Sequence, residues 1–144
     1  MKKLNQKGFS LLEVLAVVVI LGIIASIAVP AISTTIENNK KDSYVATAQT
    51  MIDQTRFAIL INDTNLTANT DGNYTLEELI AEGYIEQVKT DPWGVAYNET
   101  TSVVVVSGSD YSVHLISASG WQIGANAAGA VAETALNRNS VTEQ

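Results

Sequence analysis

The chain has no cysteine, one histidine, two prolines and only eight lysines and arginines among its 144 residues. Without cysteine there can be no disulfide, no thiolate metal site and no thiol nucleophile. The shortage of positive charge removes a further class of function. Lys2, Lys3 and Lys7 all precede the first long apolar stretch, and without them the formal charge falls from −7 to −10. So acidic a body repels phosphate backbones, and no direct nucleic-acid binding is expected. His114 stands alone in a run of alternating pattern, where a lone histidine is a structural side chain rather than a catalytic one. No serine sits in a nucleophile elbow and no glycine-rich loop suits phosphate. The adjacent Glu77 and Glu78 fall at a helix start, where acids favour the positive end of the dipole. The expectation is therefore no enzyme, no cofactor and no metal.

What the chain does have is an uncharged apolar run. Val14 to Ile32 contains no charge, and as a helix of about 19 residues it spans roughly 30 Å of hydrocarbon. Lys2, Lys3 and Lys7 in front of it stay cytoplasmic by the positive-inside rule, which puts the rest of the chain across the membrane. A cleaved secretory signal, with Ala25, Ser26 and Ala28 as its small residues, or a plain anchor satisfies this pattern. Neither accounts for Glu13. A carboxylate costs up to about 2.5–3.5 kcal/mol at the centre of a membrane helix and less near its end, so it calls for a partner.

The residues around Glu13 supply a reading. Lys7-Gly8-Phe9-Ser10-Leu11-Leu12-Glu13 resembles the processing motif of type IV prepilins and pseudopilins. The resemblance implies cleavage by a prepilin peptidase between Gly8 and Phe9, N-methylation of Phe9, and a glutamate five residues into the mature chain, where Glu13 stands. It also implies that the new Phe9 amine meets Glu13 of a neighbouring subunit during assembly. Gly22 and Pro30 fall where many family members carry helix-loosening residues. Each position has a physical rationale. Gly8 has no side chain to keep an extended backbone out of a membrane-embedded active site, and Pro30 removes a helix donor and crowds the preceding turn.

Beyond Ile36, Val45, Ala48, Met51, Ile52 and Ile59 recur at helical spacing. One helix from Phe9 to about Ile61 is expected, about 80 Å long at 1.5 Å per residue. Its second half should pack on a sheet and its first half should not. Asn62 to Asn73 reads as a polar loop. Asn69, Asp71, Gly72 and Glu78 imitate positions of a calcium-binding EF-hand loop, but Thr67 stands where the first acid belongs. Thr75 and Glu78 instead form a capping box for a short helix from Leu76 to about Ala81, which explains the glutamate without metal.

Asp91-Pro92-Trp93-Gly94 is a turn, and its order after the short helix and Gly83-Tyr84 is similar to the body of the major pseudopilin of type II secretion and of related pilins. Secretion-type pseudopilins bind calcium through acidic loops near their last strands. This chain has no Asp or Glu between Asp110 and Glu133, so that site is not carried over. Three β runs follow, Ser102–Val106, Tyr111–Ser117 and Gly120–Ile123, separated by hairpin turns. The last twenty residues, rich in Ala, Asn, Ser and Thr, read as a marginal helix or a surface extension.

The expected fold is α+β and type IV pilin-like, a long N-terminal helix whose membrane-spanning first half leads to a second half packed on a small antiparallel sheet. Residues 1–8 form the leader, 9–36 the membrane and polymerisation half, 37–124 the body and 125–144 a tail. The main functional reading is a pilin subunit of a type IV pilus or pilus-like filament. The alternatives are a pseudopilin of a type II secretion or competence machine and, in another class, a monomeric membrane-anchored binding domain. The resemblance implies as partners further copies of the chain or related minor pilins, the prepilin peptidase, an assembly ATPase and a platform protein. It implies a single-pass cytoplasmic-membrane precursor that ends in an extracellular or envelope-spanning filament.

Overall fold

A computed structural model describes residues 9–63, 66, 72–86 and 90–144. The chain divides into two units, Met1–Glu37 and Asn38–Gln144. Helix α1, Leu11–Leu60, runs through both, in agreement with the extent read from the sequence.

Helix α1 starts where Ser10 accepts from the Glu13 backbone N–H and ends in a Schellman turn. There the Asp63 N–H donates to the Ala58 carbonyl and the Asn62 N–H to Ile59. Asn62 holds the required left-handed conformation at φ 50°. Within the first unit the helix carries an uncharged, mainly apolar run from Val14 to Ile32, and nothing in that unit covers it. Its large apolar side chains from Phe9 to Ile36 are between 49 and 90 % exposed.

In the second unit a six-stranded antiparallel sheet packs on the helix. Strands β1 (Asn73–Thr75), β2 (Val103–Ser107), β3 (Asp110–Ile116), β4 (Trp121–Ile123) and β6 (Val141–Glu143) lie in the order β1-β2-β3-β4-β6. Strand β5 (Val131–Ala132) shares the β4 edge of β3, pairing Ser112 with Ala132 and Val113 with Val131. The short helix α2 (Leu76–Ala81) follows β1, and both bonds of the Thr75/Glu78 capping box are made. The three β runs expected from sequence are β2, β3 and β4. Strand β1 was not foreseen, because Asn-Tyr-Thr is too short and polar to stand out.

The helix face that enters the core is Tyr44, Ala48, Met51, Ile52, Thr55 and Ala58. It meets Val104, Val113, Leu115, Ile123 and Val141 of the sheet and Leu76 and Leu79 of α2. The expected stripe was therefore one position out of phase at its ends. Val45 and Ile59 are only half-buried, and Tyr44 is central because its hydroxyl donates to the Trp121 carbonyl at 2.8 Å. With that polar group satisfied, the ring can be buried completely.

The last twenty residues are neither a marginal helix nor a loose extension. The turn Ala127–Gly129 lies against β2 and β3, and β5 and β6 add to the sheet with Val141 buried. Gly124 permits the turn into this segment. It has φ +74°, and a Cβ there would stand 2.8 Å from the Gly129 carbonyl oxygen. Two charged straps tie the segment to α1. Glu133 accepts from Gln49 at 2.9 Å and pairs with Arg56, while Arg138 pairs with Asp42. Long-range pairing of this kind leaves no periodicity in the sequence.

Candidate functional site

The site residues singled out in the sequence lie in the first unit. Gly8 and the three leader lysines are outside the described residues, as are Thr67, Asn69 and Asp71 of the EF-hand resemblance. Phe9 is 80 % exposed two positions before the start of α1. Glu13 stands in the first turn of the helix, where its carboxylate complements the positive end of the helix dipole. The Glu13 N–H donates to Ser10 Oγ at 3.2 Å and to the Ser10 carbonyl at 3.1 Å. Ser10 is thus the N-cap, a role its place three residues before a glutamate allowed and the sequence reading missed. The Glu13 side chain is exposed and forms no ion pair among the described residues. Phe9 and Glu13 are four positions apart, and no hydrogen bond or ion pair joins them among the described residues. The arrangement offers an exposed aromatic residue and a carboxylate at one end of an uncovered apolar helix.

Gly22 and Pro30 lie inside α1, which continues through both. The proline has no N–H, so the Ser26 carbonyl one turn earlier receives no helical bond from it. Hydroxyls crowd this stretch. Ser26 donates to the Ile23 carbonyl at 2.7 Å, Ser33 to Val29 at 3.1 Å, Thr34 to Pro30 at 3.2 Å and Thr35 to Ala31 at 3.0 Å. Such back-bonding satisfies the serines and threonines without water but weakens or bends the backbone ladder it shares.

In the second unit the single histidine is tied to the backbone. His114 is 5 % exposed, and its Nδ1 lies 3.1 Å from both the Ile123 and Gly124 carbonyls. Both neighbours are acceptors, so Nδ1 carries the proton and the imidazole pins the β4 exit. Among the described residues no three histidine, aspartate or glutamate side chains gather closely enough to hold a metal.

The Asp91-Pro92-Trp93-Gly94 turn is built around a buried carboxylate. Asp91 Oδ1 accepts from the Trp93 and Val95 N–H groups, each at 2.9 Å, and Oδ2 accepts from Ser119 Oγ at 2.6 Å. Burial works to raise the Asp91 pKa, but these donors together hold it below the usual carboxylate range. Above the turn, Trp93 stacks on Trp121 with ring centroids 4.3 Å apart and planes 9° off parallel. The turn was legible in the sequence. Its tie to Ser119 and its stacking on Trp121 were not.

Comparison with known proteins adds to this geometry. Residues 3–29 match the family described as the prokaryotic N-terminal methylation motif. The chain is 33 % identical over 123 residues to the type II secretion system core protein G of Escherichia coli, covering 79 % of this chain and 81 % of that protein. It is 31 % identical to the protein of that name from Pseudomonas aeruginosa, covering 67 % and 75 % of the two chains. For the Vibrio cholerae protein the identity is 36 %, with 67 % and 73 % covered. No solved structure matches the chain.

Proposed function

This chain belongs to the family of the type II secretion system core protein G, and from that premise we propose that it is a pseudopilin, a non-enzymatic subunit that polymerises through its N-terminal helix. The observation that carries the reading is the uncovered apolar half of α1, with Phe9 and an exposed Glu13 at its front end. Left in water, those side chains would forgo roughly 1.5–3 kcal/mol each. Lipid or the helices of other copies must cover them.

The relatives favour the secretion pseudopilin over the type IV pilus subunit that was the main reading of the sequence. Both are filament subunits, and the chemistry at Phe9 and Glu13 is common to them. The prepilin peptidase cuts between Gly8 and Phe9 and methylates Phe9. The amine of an incoming Phe9 then pairs with Glu13 of a subunit already in place, in a low-dielectric setting where two such charges need each other. Partners in this reading are further pseudopilins, an assembly ATPase and a membrane platform protein. The precursor sits in the membrane, and the assembled filament stands in the envelope beyond it.

Mass spectrometry of the mature chain tests the processing step. A first residue of methylated Phe9 is expected, whereas a start near Val29 or Ala31 would mean an ordinary signal peptide. Cross-linking between cysteines placed beside the pair, at Ser10 of one copy and Val14 of another, leaves both charges in place and tests the pairing, and the cysteine-free sequence keeps the result clean.

A further inference from the structure

Beyond the helix and its terminal pair, the second unit carries a short motif that this function leaves unused. Asn62, Asn65, Asn73 and Asn98 each stand two positions before a threonine, with Asp63, Leu66, Tyr74 and Glu99 between. An asparagine two positions before serine or threonine, with no proline between, is the acceptor pattern for N-linked glycans on exported chains. None of these triplets falls in the first unit, whose single asparagine, Asn5, precedes Gln6 and Lys7. The pattern is short enough to recur by chance, so the structure has to select among its instances.

It selects Asn98. Asn73 is half-buried in β1 and held in register with Val105, and the Thr75 hydroxyl is taken up by the capping box. Asn62 closes the Schellman turn, and Thr64 and Asn65 are outside the described residues. Asn98 and Thr100, by contrast, are both exposed on the turn that leads into β2. Thr100 Oγ1 donates to Asn98 Oδ1 at 2.9 Å, and the Thr101 N–H donates to the same oxygen at 3.2 Å. A backbone N–H can only donate, so these bonds fix which way round the Asn98 amide lies. The oxygen faces the turn, and Nδ2 on the other branch forms no hydrogen bond among the described residues. The turn is anchored through its backbone, where the Asn98 N–H donates to the Ile116 carbonyl and the Asn98 carbonyl accepts from Ser102. A group added at Nδ2 therefore displaces neither bond.

We propose that Asn98 is the acceptor of an N-linked glycan, delivered by a membrane oligosaccharyltransferase. The inference rests on the functional reading above, which sends the second unit across the membrane. Nucleotide sugars stay in the cytoplasm, so the donor on the far side is a glycan carried on a polyisoprenyl diphosphate. In the transfer, Asn98 Nδ2 attacks the anomeric carbon of the first sugar and a C–N bond forms. The C–O bond to the diphosphate breaks, and the lipid diphosphate leaves with its electron pair. The amide gives up one proton to a base of the transferase, and no oxidation or reduction takes place.

The test uses the mature chain, purified from the cells that make it and digested with trypsin. Cuts after Arg56, Lys89 and Arg138 separate residues 90–138, where Asn98 is the one acceptor triplet, from residues 57–89, which hold the other three. Mass spectrometry should find residues 90–138 carrying the added mass of sugar units, and fragmentation should place it on Asn98. Asn98→Gln and Thr100→Ala should each lose the modified peptide entirely, while Thr100→Ser, which keeps the hydroxyl, should retain it. The unaltered chain decides the matter even if a variant fails to fold, because bare residues 90–138 would overturn the assignment. So would a glycan that survives Asn98→Gln, or one found on residues 57–89 alone. Protease added to spheroplasts reads the topology separately. A body cut by the protease with Asn98 bare removes the glycan and leaves the membrane reading standing, while a protected body removes both.

Discussion

Replacing Asp91 by alanine should unravel the turn that carries Trp93. Asp91 is 4 % exposed, and its two oxygens accept from two backbone N–H groups and one hydroxyl. Alanine leaves those three donors without their acceptor, and a buried unsatisfied donor costs about 1–3 kcal/mol. Because the turn can open partly to water, the sum falls at about 3–5 kcal/mol, a large share of the 5–15 kcal/mol typical of a domain. Asparagine is the informative contrast. Its Oδ1 keeps both N–H bonds, and its amide can donate to Ser119 Oγ, so Asp91→Asn should cost only about 1 kcal/mol.

Acid should separate the two variants further. The folded Asp91 pKa lies below its ordinary value of 3.8, so the unfolded chain takes up a proton first as pH falls. The contribution of Asp91 is therefore present above pH 3.8 and lost as pH drops through the folded-state value. Asp91→Asn should lose that part of the acid dependence. The remainder persists, because Arg138 holds Asp42 below its ordinary value, and the Gln49 and Arg56 bonds do so for Glu133 against its slight burial. Urea denaturation of the full chain in detergent, followed by tryptophan emission, measures both effects. An Asp91→Ala midpoint within about 1 kcal/mol of the parent, or an Asp91→Asn as damaging as alanine, would refute the reasoning.

Glu13→Ala should insert into the membrane at least as well as the parent, since a carboxylate leaves the apolar segment, yet fail to assemble. Normal filaments from a strain expressing only that variant would exclude the Phe9–Glu13 pairing. Gly124→Ala should destabilise the second unit by about 1–3 kcal/mol through its positive φ and the nearby Gly129 carbonyl. A thermal melt unchanged from the parent would show that the tail can shift to accept a methyl group. In the filament, the stretch from Gly22 to Pro30 should be the first part of α1 to extend, because the proline already lacks a donor there and hydroxyls share the neighbouring carbonyls. A filament map that traced an unbroken helix through these residues would count against it.

The long helix, its uncharged run from Val14 to Ile32, the capping box at Thr75 and Glu78, the three β runs and the turn at Asp91 were all legible in the sequence. Each depends on interactions within a few residues: an apolar run long enough for a bilayer, a hydroxyl three positions before a carboxylate, a proline followed by glycine. The Phe9 and Glu13 motif was legible for the same reason, as a local spacing. Only the tertiary structure decided that Tyr44 rather than Val45 points into the core, since that depends on a Trp121 carbonyl 77 positions away to accept its hydroxyl. It likewise decided that a tail of alanine, asparagine and serine joins the sheet through Val131 and Val141 and is strapped by Arg56 and Arg138. Two lysines, unremarkable in a polar stretch of helix, come to rest on a stacked pair of tryptophans, one from the Asp91 turn and one from strand β4. Contacts between residues far apart in the chain are set by how the sheet folds back on the helix, and no local pattern encodes which groups will meet.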